Sequence, residues 1–589
     1  MAATSYSTDP QGARPTALFL KPHEARVDHA TGSADEAPFP MREGCRVTPL
    51  IEAADMYPAL EQLVLGATSH VQLAFRIFDP TTRARSEQAQ ALELEDWTAI
   101  LRHVVMKGVN VRLLLADFEP VMAHDLHAGS WKTFHVLRDM SATLPENKRE
   151  EFEMVVIQHE GELGWGWRHL LRLPMRFQIM RVLDELQRRG HDVDALVQAR
   201  PGLWRRHRIE GGRLRHRPGP PPRIWPATYH QKFAVVDDRV AILGGLDVNE
   251  RRWDDRRHDQ PAPQTWHDIS CRLEGPAVAD CAEHFRRLWN AEMPRFREIA
   301  SEWMDGTDRK LVLEPLDSIE RASVPAPPAG EARVQLLRTK SQRDPGLLAF
   351  GPRPHIRELE AAHRKIIFAA SRLLYIEAQF LRYRAAARWI SERARQAPDL
   401  KVIILLPNAP EEVAFEGNKH PAHRHGEWLQ AKALEHLRRR LGDRIGVFSL
   451  ARPARADRIE KEYAPDRGTA FGSGLIHVHS KLLIADDDAC LVSSANINGR
   501  SFKWDTEFGM LWQDEATIRR FRQRLWQQLL DLPEPADFPL EEALDRWREI
   551  ALDNVRVDPD QRRGFIVPHQ IGRTKRFGRS FWFVPDDLV

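Results

Sequence analysis

Cysteine is scarce in this chain of 589 residues: Cys45, Cys271, Cys281 and Cys490 are scattered, with no C-x-x-C spacing. That argues against a disulfide framework or a cysteine-based zinc site and fits a reducing compartment. Long hydrophobic runs are also missing. None reaches the roughly 18 residues that cross a bilayer, so no membrane-spanning helix is expected. Met1 to Asp28 is polar, carries Pro10, Pro15 and Pro22, and lacks a charged start followed by an apolar stretch. No secretory signal is read there. A cytoplasmic or membrane-surface location follows, with export by a signal-less route left open. The formal net charge is only +2, so there is no global basic field and no nucleic-acid partner is expected. With 29% charged and 42% apolar residues, the composition is that of a globular protein, and the length predicts two or more domains.

What the chain does contain is a duplicated pattern. Thr228-Tyr229-His230-Gln231-Lys232-Phe233-Ala234-Val235-Val236-Asp237 returns as Ile476-His477-Val478-His479-Ser480-Lys481-Leu482-Leu483-Ile484-Ala485-Asp486. Both read His-x-Lys-x-x-x-x-Asp, a little under half the chain apart. Each leads into a hydrophobic strand and a small-residue turn, Gly244-Gly245-Leu246-Asp247 in the first copy and Ser493-Ser494-Ala495-Asn496 in the second. One such pattern arises by chance; two with matching sequels do not.

At these residues the chain resembles the phospholipase D superfamily. Gly244-Gly245-Leu246-Asp247 with Arg252-Trp253-Asp254, Tyr375-Ile376-Glu377-Ala378-Gln379-Phe380, and Ser494-Ala495-Asn496-Ile497-Asn498-Gly499-Arg500-Ser501 with Asp505-Thr506-Glu507 are similar to the eukaryotic-type enzymes. The resemblance covers the chain in pieces from His70 to Trp526.

Both halves alternate short apolar runs with helical segments, which predicts an α/β fold with mostly parallel sheets covered on both faces. The duplication predicts two α/β/α halves packed about a pseudo-two-fold axis. The expected divisions are a flexible arm over 1–45, a first half over 46–317 with an insertion at 120–227, a linker at 318–332, a second half over 333–530, and a tail at 531–589. Phe581-Trp582-Phe583-Val584 in the tail is expected to dock on the body.

Residues i and i+2 of a strand share a face, so His230 pairs with Lys232 and His479 with Lys481. Brought together, two imidazoles and two ammoniums suit a phosphodiester. The lysines offset charge on the non-bridging oxygens. One neutral histidine attacks phosphorus; the other, protonated, releases the leaving oxygen and then activates water. That division needs the two imidazole pKa values split by their surroundings. No metal or other cofactor is required. The resemblance favours His230 as nucleophile; the symmetry of the sequence does not choose. Asp237 and Asp486 stand an odd seven residues after their histidines and are read as structural anchors. Asp268 and Glu507, each at the start of the last strand of its half, are expected to orient the imidazoles. Asn496 falls where the family's phosphate-binding Asn lies, with Ser494 and Gly245 assigned to the same task. Asp247 departs from Asn at the equivalent place and is grouped with the structural residues.

His420, His423 and His425 read as a loop without a metal. The seven arginines between Arg205 and Arg223 read equally as a lipid-headgroup contact or a solvated loop, and Trp165 and Trp167 as core packing or an interfacial anchor. The expected activity is hydrolysis of a glycerophospholipid to phosphatidic acid and the headgroup alcohol on a peripheral membrane surface. The alternatives are a phosphatidyltransferase such as a cardiolipin synthase and a superfamily nuclease. The oligomeric state is left open and is compatible with a monomer.

Overall fold

The computed structural model describes residues 18–21, 23–24, 37–190, 192–320, 322–457, 460 and 467–589. In the first half, seven strands form one sheet: β1 (Arg42–Ile51), β2 (His70–Phe75), β3 (Asn110–Ala116), β4 (Phe152–Ile157), β5 (Phe233–Val236), β6 (Val240–Gly244) and β7 (Ile269–Glu274). Their order across the sheet is β4-β3-β2-β5-β6-β7-β1. The second half repeats it with β8 (Ala332–Gln342), β9 (Leu373–Glu377), β10 (Lys401–Leu405), β11 (Ile445–Arg455), β12 (Leu482–Ala485), β13 (Ala489–Ser493) and β14 (Glu507–Gln513). There the order is β11-β10-β9-β12-β13-β14-β8. Five helices matter below: α1 (Glu52–Leu65), α2 (Trp165–Leu170), α3 (Arg172–Arg189), α4 (Val278–Met304) and α5 (Glu515–Leu530).

The duplicated α/β architecture is as the sequence implies. Parallel pairing, however, is confined to the three strands at one end of each sheet. From the motif strand onward the pairing is antiparallel. The connections explain this. A parallel pair needs a long crossover, whereas β5–β6 and β12–β13 are joined by tight turns. Asp237 and Asp238 in the first turn, and Asp486 and Asp487 in the second, have φ between 52° and 60°. Aspartate tolerates this left-handed region better than most non-glycine residues.

The sheets meet at two places. Edge strands β1 and β8 pair through Arg42 with Val334 and Cys45 with Ala332. Inward-facing residues of both halves form one hydrophobic core, in which the Phe233 and Phe508 rings lie 4.7 Å apart between centroids. Helices α4 and α5 close their halves, burying Phe285, Leu288 and Trp289, and Phe521, Leu525 and Trp526. The four cysteines are buried and free.

Several boundaries differ from expectation. Most of the arm expected over 1–45 lies outside the described residues, but Arg42–Cys45 opens β1, and Leu18 and Leu20 bury in the second half's core. The insertion expected at 120–227 contains β4, a full member of the sheet, so the extra material is what flanks that strand. The tail adds Ile566–Pro568 to the edge of β11. Phe581 and Val584 pack on the body, but Trp582 is 95% exposed and Phe583 54%, so the run docks at its two ends and leaves its middle in solvent. His420, His423 and His425 lie at the start of a helix over Pro421–Leu441, not in a loop; His420 caps it and His425 pairs with Asp586 at 3.0 Å. The arginine stretch is mostly structural: Arg223 binds Glu162 and Glu302, Arg205 pairs with Glu302, and Arg206 donates to the Pro220 carbonyl. Among the described residues no helix is long and apolar enough to cross a membrane.

Candidate active site between the halves

Each motif lies in a short extended link running into β5 or β12, and each link is bound to the opposite half. Tyr229 bridges Thr506 in parallel, and the His230 N–H donates to the Thr506 carbonyl at 2.8 Å. His477 and Val478 pair in parallel with Trp266 and His267, and the His479 N–H donates to the His267 carbonyl at 2.8 Å. Thr506 immediately precedes Glu507, and His267 immediately precedes Asp268. The backbone pairing therefore delivers each carboxylate to the other half's histidine. His230 Nδ1 lies 2.9 Å from Glu507 Oε2, and His479 Nδ1 lies 2.6 Å from Asp268 Oδ2. The sequence had each carboxylate placed in its own half; the structure exchanges them. A carboxylate on Nδ1 fixes the tautomer and leaves Nε2 as the reactive nitrogen.

Lys232 and Lys481 complete the cluster, each 2% exposed. Each ammonium donates to the carbonyl of the histidine two residues earlier, Lys232 at 2.5 Å. Burial pushes Lys232 down to about 8 and Lys481 down to about 7. It also drives both imidazoles well below their ordinary value, with the lysines of both halves adding to the push. Burial pushes Glu507 up to about 8 and Asp268 up to about 6. All these shifts favour neutral forms. Both imidazoles are pushed in the same direction by burial and by the two lysines, with Arg76 adding to the push on His230 and Arg252 to that on His479. A phosphodiester's negative charge acts in the opposite sense on the lysines and imidazoles and favours their charged forms.

The other predicted residues divide. Asp237 accepts from the N–H groups of Thr68, Ser69 and His70 and from the Thr68 hydroxyl, all at 2.8–2.9 Å. Asp486 does the same for Ser371, Arg372 and Leu373. Both tie the motif strand's end to the start of its neighbour, away from the histidines. Asp247 is buried; its Oδ1 accepts from the Ile77 N–H at 2.9 Å, and its Oδ2 lies 3.7 Å from Lys232 Nζ.

Ser494 and Gly245, expected at the phosphate, each lie against one of the two carboxylates. Ser494 Oγ donates to Glu507 Oε2 at 2.5 Å, and a Cβ on Gly245 would sit 2.1 Å from Asp268 Oδ1. The hydroxyl braces one carboxylate, and the glycine leaves room for the other. Asn496 Nδ2 donates to Gln379 Oε1 at 3.3 Å, and Gln379 Nε2 lies 3.4 Å from His477 Nε2.

Three groups escaped the sequence reading. Arg252 Nη1 lies 3.1 Å from His479 Nε2, and its guanidinium stacks 4.2 Å above the Trp266 ring. It donates, so His479 Nε2 accepts and carries no proton in this contact. Arg76 is enclosed near Asp247, where burial lowers its pKa. His477 packs edge-on against Trp266 with centroids 4.8 Å apart. The signal for Arg252 lay in the Arg252-Trp253-Asp254 run, and that for His477 in the His-x-His spacing of the second motif.

The family model described as "Cardiolipin synthase, PLD-like domain" matches residues 446–529, which contain the second motif and Glu507. Phospholipase D1 of Rattus norvegicus is 29% identical over 283 residues, 43% of this chain and 24% of that protein. The chain is thus similar to members of the phospholipase D superfamily over these segments. Phospholipase D1 of Saccharomyces cerevisiae is 23% identical over 490 residues, 65% of this chain and 28% of its own length. The alignments thus span about a quarter of these phospholipases D. Phosphatidylserine synthase of Haemophilus influenzae is 14% identical with a TM-score of 0.47, covering 89% of this chain and 97% of its own.

Proposed function

We propose that the protein is a phospholipase D-type phosphodiesterase that hydrolyses glycerophospholipids to phosphatidic acid and the headgroup alcohol. The reading takes 46–317 and 333–530 as its two catalytic halves. The observation that carries it is the exchanged pair of carboxylate-bound imidazoles with two buried lysines beside them. In this account His230 Nε2, carrying a lone pair because Nδ1–H faces Glu507, attacks phosphorus. The bond to the headgroup oxygen breaks, and that oxygen takes a proton from His479 Nε2. His479 then removes a proton from water, the hydroxide attacks phosphorus, and the P–N bond breaks to release phosphatidic acid. Lys232 and Lys481 hold the non-bridging oxygens. Arg252 turns from His479 to the incoming phosphate, which frees Nε2 to be protonated.

The substrate lies in a bilayer, and one surface suits it. Leu173, Phe177 and Met180 form a stripe on α3 at i, i+4 and i+7 and are 62%, 65% and 43% exposed. Trp165, Leu170, Leu347 and Leu348 extend it, and the exposed Arg172, Arg176 and Arg181 flank it. The loop carrying Leu347 and Leu348 is fixed to α2 by Gly166 N–H to the Leu347 carbonyl and Trp167 Nε1–H to the Leu348 carbonyl, both 2.8 Å. Apolar side chains ringed by arginine match the boundary of an anionic membrane. Trp165 belongs to this surface, while Trp167 packs against Phe350.

Incubating the pure chain with headgroup-labelled phosphatidylcholine and phosphatidylethanolamine, and with single-stranded DNA, tests the reading. Release of headgroup with phosphatidic acid supports it; cleavage of DNA alone rejects it. The matched family model favours one second reading, a phosphatidyltransferase, in which an alcohol replaces water in the second step. Added glycerol or phosphatidylglycerol would then divert the product from phosphatidic acid.

A further inference from the structure

We propose that Glu52, His258 and His267 form a cation site of the kind that takes zinc, buried behind the reacting groups and taking no part in the reaction. The three residues are at most 1% exposed, and their donor atoms lie within 4.8 Å of one another. Each imidazole has its far nitrogen already fixed by a carboxylate. His267 Nε2 lies 2.9 Å from Glu377 Oε2, and His258 Nδ1 lies 2.8 Å from Asp254 Oδ2. That leaves His267 Nδ1 and His258 Nε2 turned toward one oxygen, Glu52 Oε1, at 2.6 and 3.5 Å. A carboxylate behind each imidazole is the arrangement that orients metal-ligating histidines.

A second observation points to a ligand independently. His258 Nε2 is fully enclosed and has no hydrogen-bond partner. An unsatisfied imidazole nitrogen in a dry interior is costly, and a cation satisfies it. Two imidazole nitrogens and one carboxylate oxygen suit zinc rather than the all-oxygen preference of calcium or magnesium. The Gln528 side-chain amide, 3.3 Å from the same Glu52 oxygen, supplies a fourth donor once rotated to present its oxygen. Loading displaces the proton on His267 Nδ1 to solvent; Nε2–H stays on Glu377.

The position gives such a cation a task. The Glu52 N–H donates to the Asp268 carbonyl, and the Asp268 N–H to Glu52 Oε2, both at 3.0 Å. The His267 carbonyl receives the His479 N–H. A cation here pins the segment that carries Asp268 and steadies His479.

Elemental analysis of the full chain, expressed with zinc and dialysed without chelator, is expected to give about one zinc per chain. His258→Ala is expected to lose it, while His420→Ala, a helix cap far along the chain, retains it. If His258→Ala does not fold, the wild type decides: a strong chelator should lower its melting temperature and added ZnCl2 should restore it. A metal-free wild type whose melting ignores both chelator and ZnCl2 overturns the proposal and leaves His267 as an imidazolium between Glu52 and Glu377. Zinc retained in a folded His258→Ala overturns the assignment of the ligands. Metal content is read without any substrate, so its failure leaves the phosphodiesterase reading untouched.

Discussion

His230 takes its carboxylate from Glu507, the first residue of the last strand in the opposite half, at 2.9 Å. His479 and Asp268 repeat the relationship in reverse at 2.6 Å. Neither motif histidine takes its carboxylate from its own half, so these two pairs form only where the halves meet.

The two carboxylates are expected to act on different steps. Glu507→Gln should slow formation of the covalent intermediate, because it serves the attacking His230. Asp268→Asn should slow mainly its breakdown, because it serves the histidine that activates water. Each loss should be about 10²- to 10³-fold. Rapid-quench kinetics with a p-nitrophenyl phosphodiester separates the steps; equal effects of both variants on one step would contradict the assignment.

Arg252 should set the pH profile. Its guanidinium donates to His479 Nε2 and is among the charges that lower that imidazole's pKa. Arg252→Ala removes the push, so the His479 pKa rises. The proton donor then stays protonated to higher pH, and the alkaline limb of kcat/KM should move upward. KM should rise as well if the arginine also meets the phosphate. An unmoved limb would show that the contact does not tune His479.

Asp237 bears on stability. Burial alone would raise its carboxyl, but the N–H groups of His70, Thr68 and Ser69 outweigh that and hold it below the ordinary value. Its contribution is therefore fully present above the unfolded-chain carboxylate value and is lost as pH falls through the lower folded one. Asp237→Asn should cost about 1–3 kcal/mol at neutral pH, with the rate of the folded fraction nearly unchanged. Denaturant titration with active-site counting checks this; a large rate loss at unchanged stability would refute it.

The exposed stripe on α3 predicts a separation of binding from chemistry. Leu173→Ser with Phe177→Ser should weaken attachment to anionic vesicles about tenfold or more, since each removes a large apolar side chain from the interface. Hydrolysis of a soluble short-chain phospholipid should be spared. Equal losses on both substrates would remove the surface from the account.

The sequence reaches unevenly into this molecule. The doubled motif made the two halves, the lysine–histidine pairs and the two carboxylates legible, because each rests on a local pattern: alternation in a strand, or the first residue of one. The exchange of carboxylates was not legible, since it depends on which half's backbone lies beside which motif link, a contact 277 residues apart in sequence for His230 and Glu507. The contacts of Ser494 and Gly245 with the carboxylates were not legible, because in sequence a small residue beside a phosphate site looks the same as one that braces or makes room for a carboxylate. Glu52 and His258 lie far from either motif, and only the fold brings them to His267. The parallel character of the sheets was over-read because hydrophobic runs look alike in parallel and antiparallel pairs, and the turn after Asp237 decides between them.

Trapping the covalent intermediate decides whether displacement runs in two steps through His230. His479→Ala should react with a p-nitrophenyl phosphodiester, whose leaving group needs no proton, and then stall, because the base that activates water is missing. Mass spectrometry of quenched protein, with pH held to preserve the acid-labile adduct, should place a phosphoryl adduct on His230. His230→Ala should give none. An adduct on His479 in the wild type would reverse the roles. No adduct in any form of the enzyme, together with inversion at a chiral phosphorus, would contradict the account.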